Sequence, residues 1–300
     1  MTNRAGLVIV DKDGGMTSHD VVSRLRRLAH TRKVGHAGTL DPMATGVLVL
    51  GVEKATRLLH HLALTDKAYS ATIRLGQATT TDDAEGEFIS GASAAAVTED
   101  EVRAAMLPLT GEIAQVPSSV SAIKVNGERA YKLARAGEAV ELAARPVTVS
   151  RFEAVGFARP IAELLDVRVE VECSSGTYIR ALARDLGVAL TGAGQCVGGH
   201  LTALRRTRVG PFTLELARTL AELEAIGDPV TMPLDEAVRA AFAVRDVADD
   251  EAKALSYGKF LAATGIPGVY AAFAPDGGVV ALLEERDGLA RPVLVFQPAG

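Results

Sequence analysis

Two stretches of the chain alternate apolar and polar residues strictly. In "KAYSATIRLG" (67–76), Tyr69, Ala71, Ile73 and Leu75 share one face, the period of two expected of a half-buried strand. Val167, Val169, Val171 and Cys173 alternate with Arg168, Glu170 and Glu172 and predict a second strand. Two short apolar runs, Leu7–Val10 and Val47–Gly51, read as buried strands. Between them, Thr17-Ser18-His19-Asp20 has the hydroxyl-to-carboxylate spacing of a capping box. It predicts a helix to about His30, with Val21, Val22, Leu25, Leu28 and Ala29 on its apolar side and Arg24 and Arg27 near the other. Ala55, Leu58, Leu59 and Leu62 predict a further helix, and "VRAAMLPLTG" (102–111) a short one, with a small, polar loop over 77–97. "SSGTYIRALARDLGVAL" (174–190) turns into a helix whose first turn carries Tyr178 and Arg180, and the glycine-rich "TGAGQCVGGH" follows it. Short strands are expected near Val269–Phe273, Val279–Glu284 and Val293–Phe296.

Strands and helices mixed without regular βαβ alternation predict an α+β fold with a mixed, largely antiparallel sheet. Composition shifts at "IGDPVTMP" (226–233), which divides the chain into 1–233 and a small β-rich domain, 234–300. Residues 121–146, "SAIKVNGERAYKLARAGEAVELAARP", begin like a hairpin and become basic, helical and Ala-rich. They are expected to protrude as a flap.

The net charge of −5 hides an asymmetry: residues 1–218 hold 26 Lys/Arg against 24 Asp/Glu, and 219–300 hold 6 against 13. The basic residues cluster at Arg24, Arg26, Arg27, Arg32 and Lys33, at Lys124, Arg129, Lys132 and Arg135, and at Arg205, Arg206 and Arg208. Such local patches are the footprint of a polyanion. No apolar stretch reaches the ~18–20 residues that span a bilayer, and no signal peptide is evident at the start. Cys173 and Cys196 lack both a disulfide framework and metal-ligand spacing, so a cytoplasmic protein is expected. GxGxxG after a strand, GxxxxGK[ST] and HExxH are all missing, so neither a nucleotide cofactor nor a metal is expected.

One segment carries candidate chemistry. "GHAGTLDPMATGVLVLGV" (35–52) holds a single carboxylate, Asp41, and a single imidazole, His36, among glycines, threonines and apolar residues. Asp-Pro is a common turn initiator, and a turn alone would explain it.

Six ordered motifs add a second reading: "VDKDGGMTSHDVV", "GHAGTLDPMATGVL", "KAYSATIRLG", "QVPSSVSAIKVNGERAYKLARAGE", "CSSGTYIRALARDLG" and "HLTALRRTRVGPF". Together, over about residues 5–215, they resemble the bacterial TruB family of tRNA pseudouridine-55 synthases. The short acidic end is similar to the reduced PUA-like tail of actinobacterial members. Val120 and Ser175 depart from the pattern, standing where an aromatic and a Lys are frequent. The resemblance implies a pseudouridine-synthase-like catalytic domain with a PUA-like domain behind it. It implies that uridine in the T stem-loop of tRNA is detached from C1′, rotated and rejoined through C5, without cofactor or metal. Asp41 would be the nucleophile, since a carboxylate is ionised near neutral pH without a partner base. Attack at C1′, a glycal route and addition to C6 all stay open. Arg180 would pair with that carboxylate, and Tyr69 would stack on the flipped base and take a proton. Tyr178 and Leu204 would line the pocket, and His36 would fill the space the base vacates. Lys12 would meet phosphate or the catalytic loop. A monomer with no obligate protein partner is expected. Two alternatives are a guide-RNA-dependent pseudouridine synthase, disfavoured by the acidic end, and a non-catalytic tRNA-binding or folding protein, disfavoured by the presence of Asp41 and Arg180.

Overall fold

The structure is a computed structural model describing residues 4–118, 142–192 and 194–299, with the backbone of 124–125 and 128–129. Its main strands are β1 (Gly6–Lys12), β2 (Val34–His36), β3 (Thr45–Val52), β4 (Lys67–Leu75), β5 (Gly111–Gln115), β6 (Arg145–Ala158), β7 (Leu165–Cys173), β8 (Gly199–Val209), β9 (Met232–Pro233), β10 (Ala243–Asp246), β11 (Leu261–Ala262), β12 (Val269–Phe273), β13 (Val279–Arg286) and β14 (Leu289–Val295). The described helices are α1 (Ser18–Leu28), α2 (Leu59–Ala63), α3 (Glu99–Met106), α4 (Ile179–Ala189), α5 (Leu220–Ile226), α6 (Leu234–Ala241) and α7 (Asp249–Ser256). The chain folds as two compact units. One comprises residues 1–41, 47–63 and 210–300, the other 42–46 and 64–209.

In the first unit β1 lies between β9 and β3, and β2 pairs antiparallel with β3. Leu7 to Val10 and Val47 to Leu50 are wholly buried, as their continuous apolar runs require. α1 starts at the expected capping box: Thr17 accepts from Asp20 N while Asp20 Oδ2 accepts from Thr17 N. The helix expected over 55–62 is instead a 3₁₀ turn, Glu53–Leu58, running into the short α2. Its break begins at Glu53, held at φ 54° by the carbonyl of Lys33 and by the Thr31 hydroxyl, which donates to the Glu53 carboxylate.

The C-terminal part of this unit is a five-stranded sheet in the order β10-β12-β13-β14-β11, parallel only between β10 and β12. Val247, Leu255, Tyr270, Val280 and Leu283 fill its core with their neighbours. Glu285 accepts from Thr264 N, Gly265 N and the Tyr270 hydroxyl. The bond from the Thr264 backbone is the main reason its carboxyl falls to about 2. Arg57 donates to Val295 O at 2.6 Å, and the His61 ring meets Phe242 edge-on.

The second unit is a sheet in the order β8-β4-β7-β6-β5, antiparallel throughout. Thr45 and Gly46, the start of β3, pair in parallel with Arg205 and Arg206. Gly46 (φ 99°) is needed there, because a Cβ would strike the Arg206 carbonyl. The fold is therefore α+β with a mixed, largely antiparallel sheet and a small β-rich C-terminal module. β6 is a strand that alternation does not reveal, because register shifts at Val149/Arg151 and Ala154/Gly156 break the period of two. Gly187 of α4 packs directly on the Gly198–Gly199 backbone, which explains the paired glycines near the end of "TGAGQCVGGH". The 77–97 loop contains a two-stranded hairpin, Ala78–Thr79 with Phe88–Ser90. Lys124–Val125 pairs with Glu128–Arg129, and the rest of the expected flap, up to residue 141, lies outside the described residues.

Candidate active site

Asp41 sits at the end of a loop fixed from both sides. Ala37 N donates to Val49 O at 2.9 Å. One hydroxyl, Ser18 Oγ in the first turn of α1, accepts from Leu40 N at 2.9 Å and donates to Leu40 O at 3.1 Å. Ala37 and Leu40 are buried while Asp41 is partly exposed. Apolar anchors and a helix hydroxyl thus hold the backbone leading to a residue that stays partly exposed. Pro42 and Met43 form a bend, consistent with the local reading of Asp-Pro. His36 ends β2, opposite Leu50, and is partly exposed. Lys12 has no exposed surface, and its ammonium donates to Asp13 O and Met16 O, both at 2.8 Å, which ties it to the loop after β1.

In the second unit the ladder assembles another group. Tyr69 on β4 pairs with Arg206 on β8 and Val171 on β7, and the neighbouring Ala71 pairs with Leu204. Directly paired residues share a sheet face, so Tyr69, Leu204 and Arg206 lie together, all nearly buried. Lys67, two residues before Tyr69, joins this face. Its ammonium donates to Thr65 O at 2.7 Å, and burial followed by the nearby Arg206 charge lowers it to about 8. Across the ladder from it, burial pushes the Cys173 thiol up to about 11.

Tyr178 and Arg180 begin α4. Arg180 is buried, with Nη1 3.1 Å from Thr81 O and 3.4 Å from Asp83 Oδ2. Asp83 is itself buried and accepts from Thr81 Oγ1 and from Glu85 N. One turn along, Arg184 meets Asp82 at 3.3 Å and donates to Val116 O at 2.7 Å. Burial holds the Asp82 carboxyl above its ordinary value, with Arg184 the leading opposing influence. Sequence reasoning passed over Asp82 and Asp83 as loop polarity. The available signal was two adjacent carboxylates flanked by Thr79–Thr81 and Gly86, a composition that builds turns closed by side chains.

The basic clusters divide. Arg24, Arg26 and Arg27 are exposed on α1, where a polyanion can reach them. Arg206, a member of the third basic cluster, is 1% exposed. It shares the inward face of β8 with Leu204 two residues earlier. Arg208 is paired with Glu172 at 2.7 Å, and Arg205 donates to Thr45 Oγ1. Among the described residues no group of three His, Cys, Asp or Glu could hold a metal, and no helix is long and apolar enough to cross a membrane.

An α+β sheet of this order, with a buried arginine–aspartate pair at a helix start and a carboxylate on a separately fixed loop, has clear counterparts. Residues 26–179 match the TruB family pseudouridylate synthase N-terminal domain. Residues 180–239 match the tRNA pseudouridylate synthase B C-terminal domain, and 242–297 the C-terminal domain of tRNA pseudouridine synthase II. The tRNA pseudouridine synthase B of Rhodococcus jostii is 64% identical over 295 residues, covering 98% of this chain and 95% of that protein. The protein of the same name from Nocardia farcinica is 62% identical, with 98% and 94% covered. A chain in the structure of an H/ACA RNP bound to a substrate RNA containing 2′-deoxyuridine is 25% identical with a TM-score of 0.71, covering 99% of this chain and 86% of that one. These matches define an isomerase. The chain belongs to the TruB family of pseudouridylate synthases.

Proposed function

We propose that the chain converts uridine 55, in the T stem-loop of tRNA, to pseudouridine, with Asp41 as nucleophile. The N1–C1′ bond breaks, the base turns, C5 bonds to C1′, and the C5 hydrogen leaves to water as N1 takes up a proton. Atoms balance without cofactor or oxidant. The observation that carries the reading is the Asp41 loop: a partly exposed carboxylate on a backbone tied through Ser18 and Val49. Such a group can attack and leave without reorganising its support. Near-full-length similarity to proteins named tRNA pseudouridine synthase B supports the substrate class.

Arg180, in this reading, fixes the charge and orientation of the catalytic carboxylate, and its buried pairing with Asp83 holds its own fork. Tyr69 stacks on the extruded base and takes the proton. Leu204 supplies the apolar wall beside it, Tyr178 lines the pocket, and His36 enters the vacated stack. Lys12 supports the loop after β1. Residues 1–233 form the catalytic part and 234–300 a PUA-like module. The test is release of tritium from tRNA carrying 5-tritiated uridine. Asp41→Asn keeps shape but removes the nucleophile. Release should fall below detection while tRNA affinity changes by less than about tenfold, roughly 1.4 kcal/mol. Turnover by the variant would return Asp41 to an ordinary turn residue, and no release by the unmutated protein would leave a binding protein.

A further inference from the structure

β5 is an edge strand exposed or half-exposed along most of its length, and its one buried residue is polar: Gln115, at 2% exposure. A buried carboxamide needs partners for both ends. Gln115 finds them on a single residue: Oε1 accepts from Tyr178 N at 2.8 Å, and Nε2 donates to Tyr178 O at 3.1 Å. The side chain imitates a strand neighbour and clamps the extended backbone of Tyr178 (φ −103°, ψ 109°) where it enters α4.

That point lacks the usual local device. α1, α3 and α5 each begin with a Thr capping box, whereas Tyr178 makes no side-chain cap bond to α4. The start of α4 is set from outside, by a residue 63 positions earlier. Arg180 follows two residues later, its guanidinium held by Thr81 O and Asp83. The residues after Gln115 extend the same contact: Val116 O accepts from Arg184, and the Ser118 hydroxyl donates to Thr81 O at 3.2 Å. The guanidinium of Arg180 is thereby held by the 81–83 turn, and the backbone two residues before it by Gln115.

We infer that Gln115 is a positioning residue for catalysis: by clamping Tyr178 it sets the direction in which α4 delivers Arg180. The inference rests on the proposed role of Arg180. Gln115→Ala removes both bonds and lets the first turn of α4 shift, and misplacement by about 1 Å can cost about a hundredfold in rate. Gln115→Glu separates positioning from bulk. When ionised it still accepts from Tyr178 N but sets a second anionic oxygen against Tyr178 O. When protonated it regains a donor of nearly the original shape.

The experiment measures single-turnover tritium release, tRNA affinity and thermal unfolding for Gln115→Ala, Gln115→Glu and Arg180→Lys across pH. We expect Gln115→Ala to slow release by about tenfold to a hundredfold with affinity unchanged. Gln115→Glu should close its deficit relative to the unmutated protein as pH falls, while the deficit of Gln115→Ala stays constant. Wild-type rates for Gln115→Ala beside a slow Arg180→Lys would overturn the clamp alone. So would a rate loss that only tracks the unfolded fraction, or a Glu variant that does not recover in acid. Wild-type rates for Arg180→Lys would instead overturn the reading on which the clamp rests.

Discussion

Asp41 and Arg180 are held by opposite means. Asp41 ends a short loop whose supports are close in sequence, a buried alanine and leucine and one helix hydroxyl at most 22 residues away. Asp41 itself remains partly exposed. Arg180 is enclosed by polar groups from distant segments: Thr81 and Asp83 on a turn 99 and 97 residues back, with Gln115 acting through Tyr178. The proposed roles fit this difference: a nucleophile needs access, so its backbone would carry the constraint, whereas an orienting cation needs a fixed fork, so its side chain would, and burial makes each hydrogen bond count for more.

If that contrast is right, the strongest effect after loss of Asp41 itself comes from Arg180→Lys. Charge is kept, but the planar fork that meets Thr81 O and Asp83 is lost. Tritium release should fall by about a hundredfold with tRNA binding largely retained, as read by single-turnover kinetics beside filter binding. Equal losses in both would erase the distinction between an orienting cation and a binding one.

Ser18→Ala attacks the other support. It leaves the buried N–H and carbonyl of Leu40 without their shared hydroxyl, which costs about 1–3 kcal/mol. A lower unfolding temperature is expected, with slower turnover because the loop carrying Asp41 loosens. Unchanged stability would show that apolar anchoring suffices there.

A smaller effect tests the enclosed side by pH. Burial raises the Asp82 carboxyl above 3.8 in the folded protein. The fold therefore binds this proton more tightly than the unfolded chain does. The stability it contributes is complete below 3.8 and is lost as pH rises through the folded value. Asp82→Asn cannot titrate. Its unfolding temperature should gain on that of the unmutated protein as pH climbs above 3.8, whatever fixed offset comes from losing the Arg184 pair. A difference that stays flat with pH would mean that burial does not govern this carboxyl.

The same contrast explains what could be read from the sequence. β4, β7 and α1 were legible because their periods run unbroken from end to end, and the Thr17–Asp20 box marked the start of α1. The turn at Asp41 was legible because Asp-Pro is a signal contained in two adjacent residues. β6 was hidden by its two register shifts, and β8 by shifts at Leu201/Ala203 and Arg206/Arg208. The burial of Arg206 is masked in the sequence by the charged run around it, although it stands two residues from Leu204 on the same face. Asp83 and Gln115 escaped notice because each acts on a segment far along the chain, and no pattern within a strand or helix encodes such a pairing.

β1 has a consequence for synthesis. Leu7, Val8, Ile9 and Val10 are wholly buried, yet one of their partners is translated more than 200 residues after them. One of its edges is completed by Arg218 and by β9, and Ile9 N donates to Thr231 Oγ1, 222 residues later. Until that stretch has been translated, the nascent chain carries an apolar strand with an open edge, the kind of segment that pairs with other chains. The unit that holds Arg180 draws on no residue beyond 209, so its chain is translated before the stretch that covers the open edge of β1.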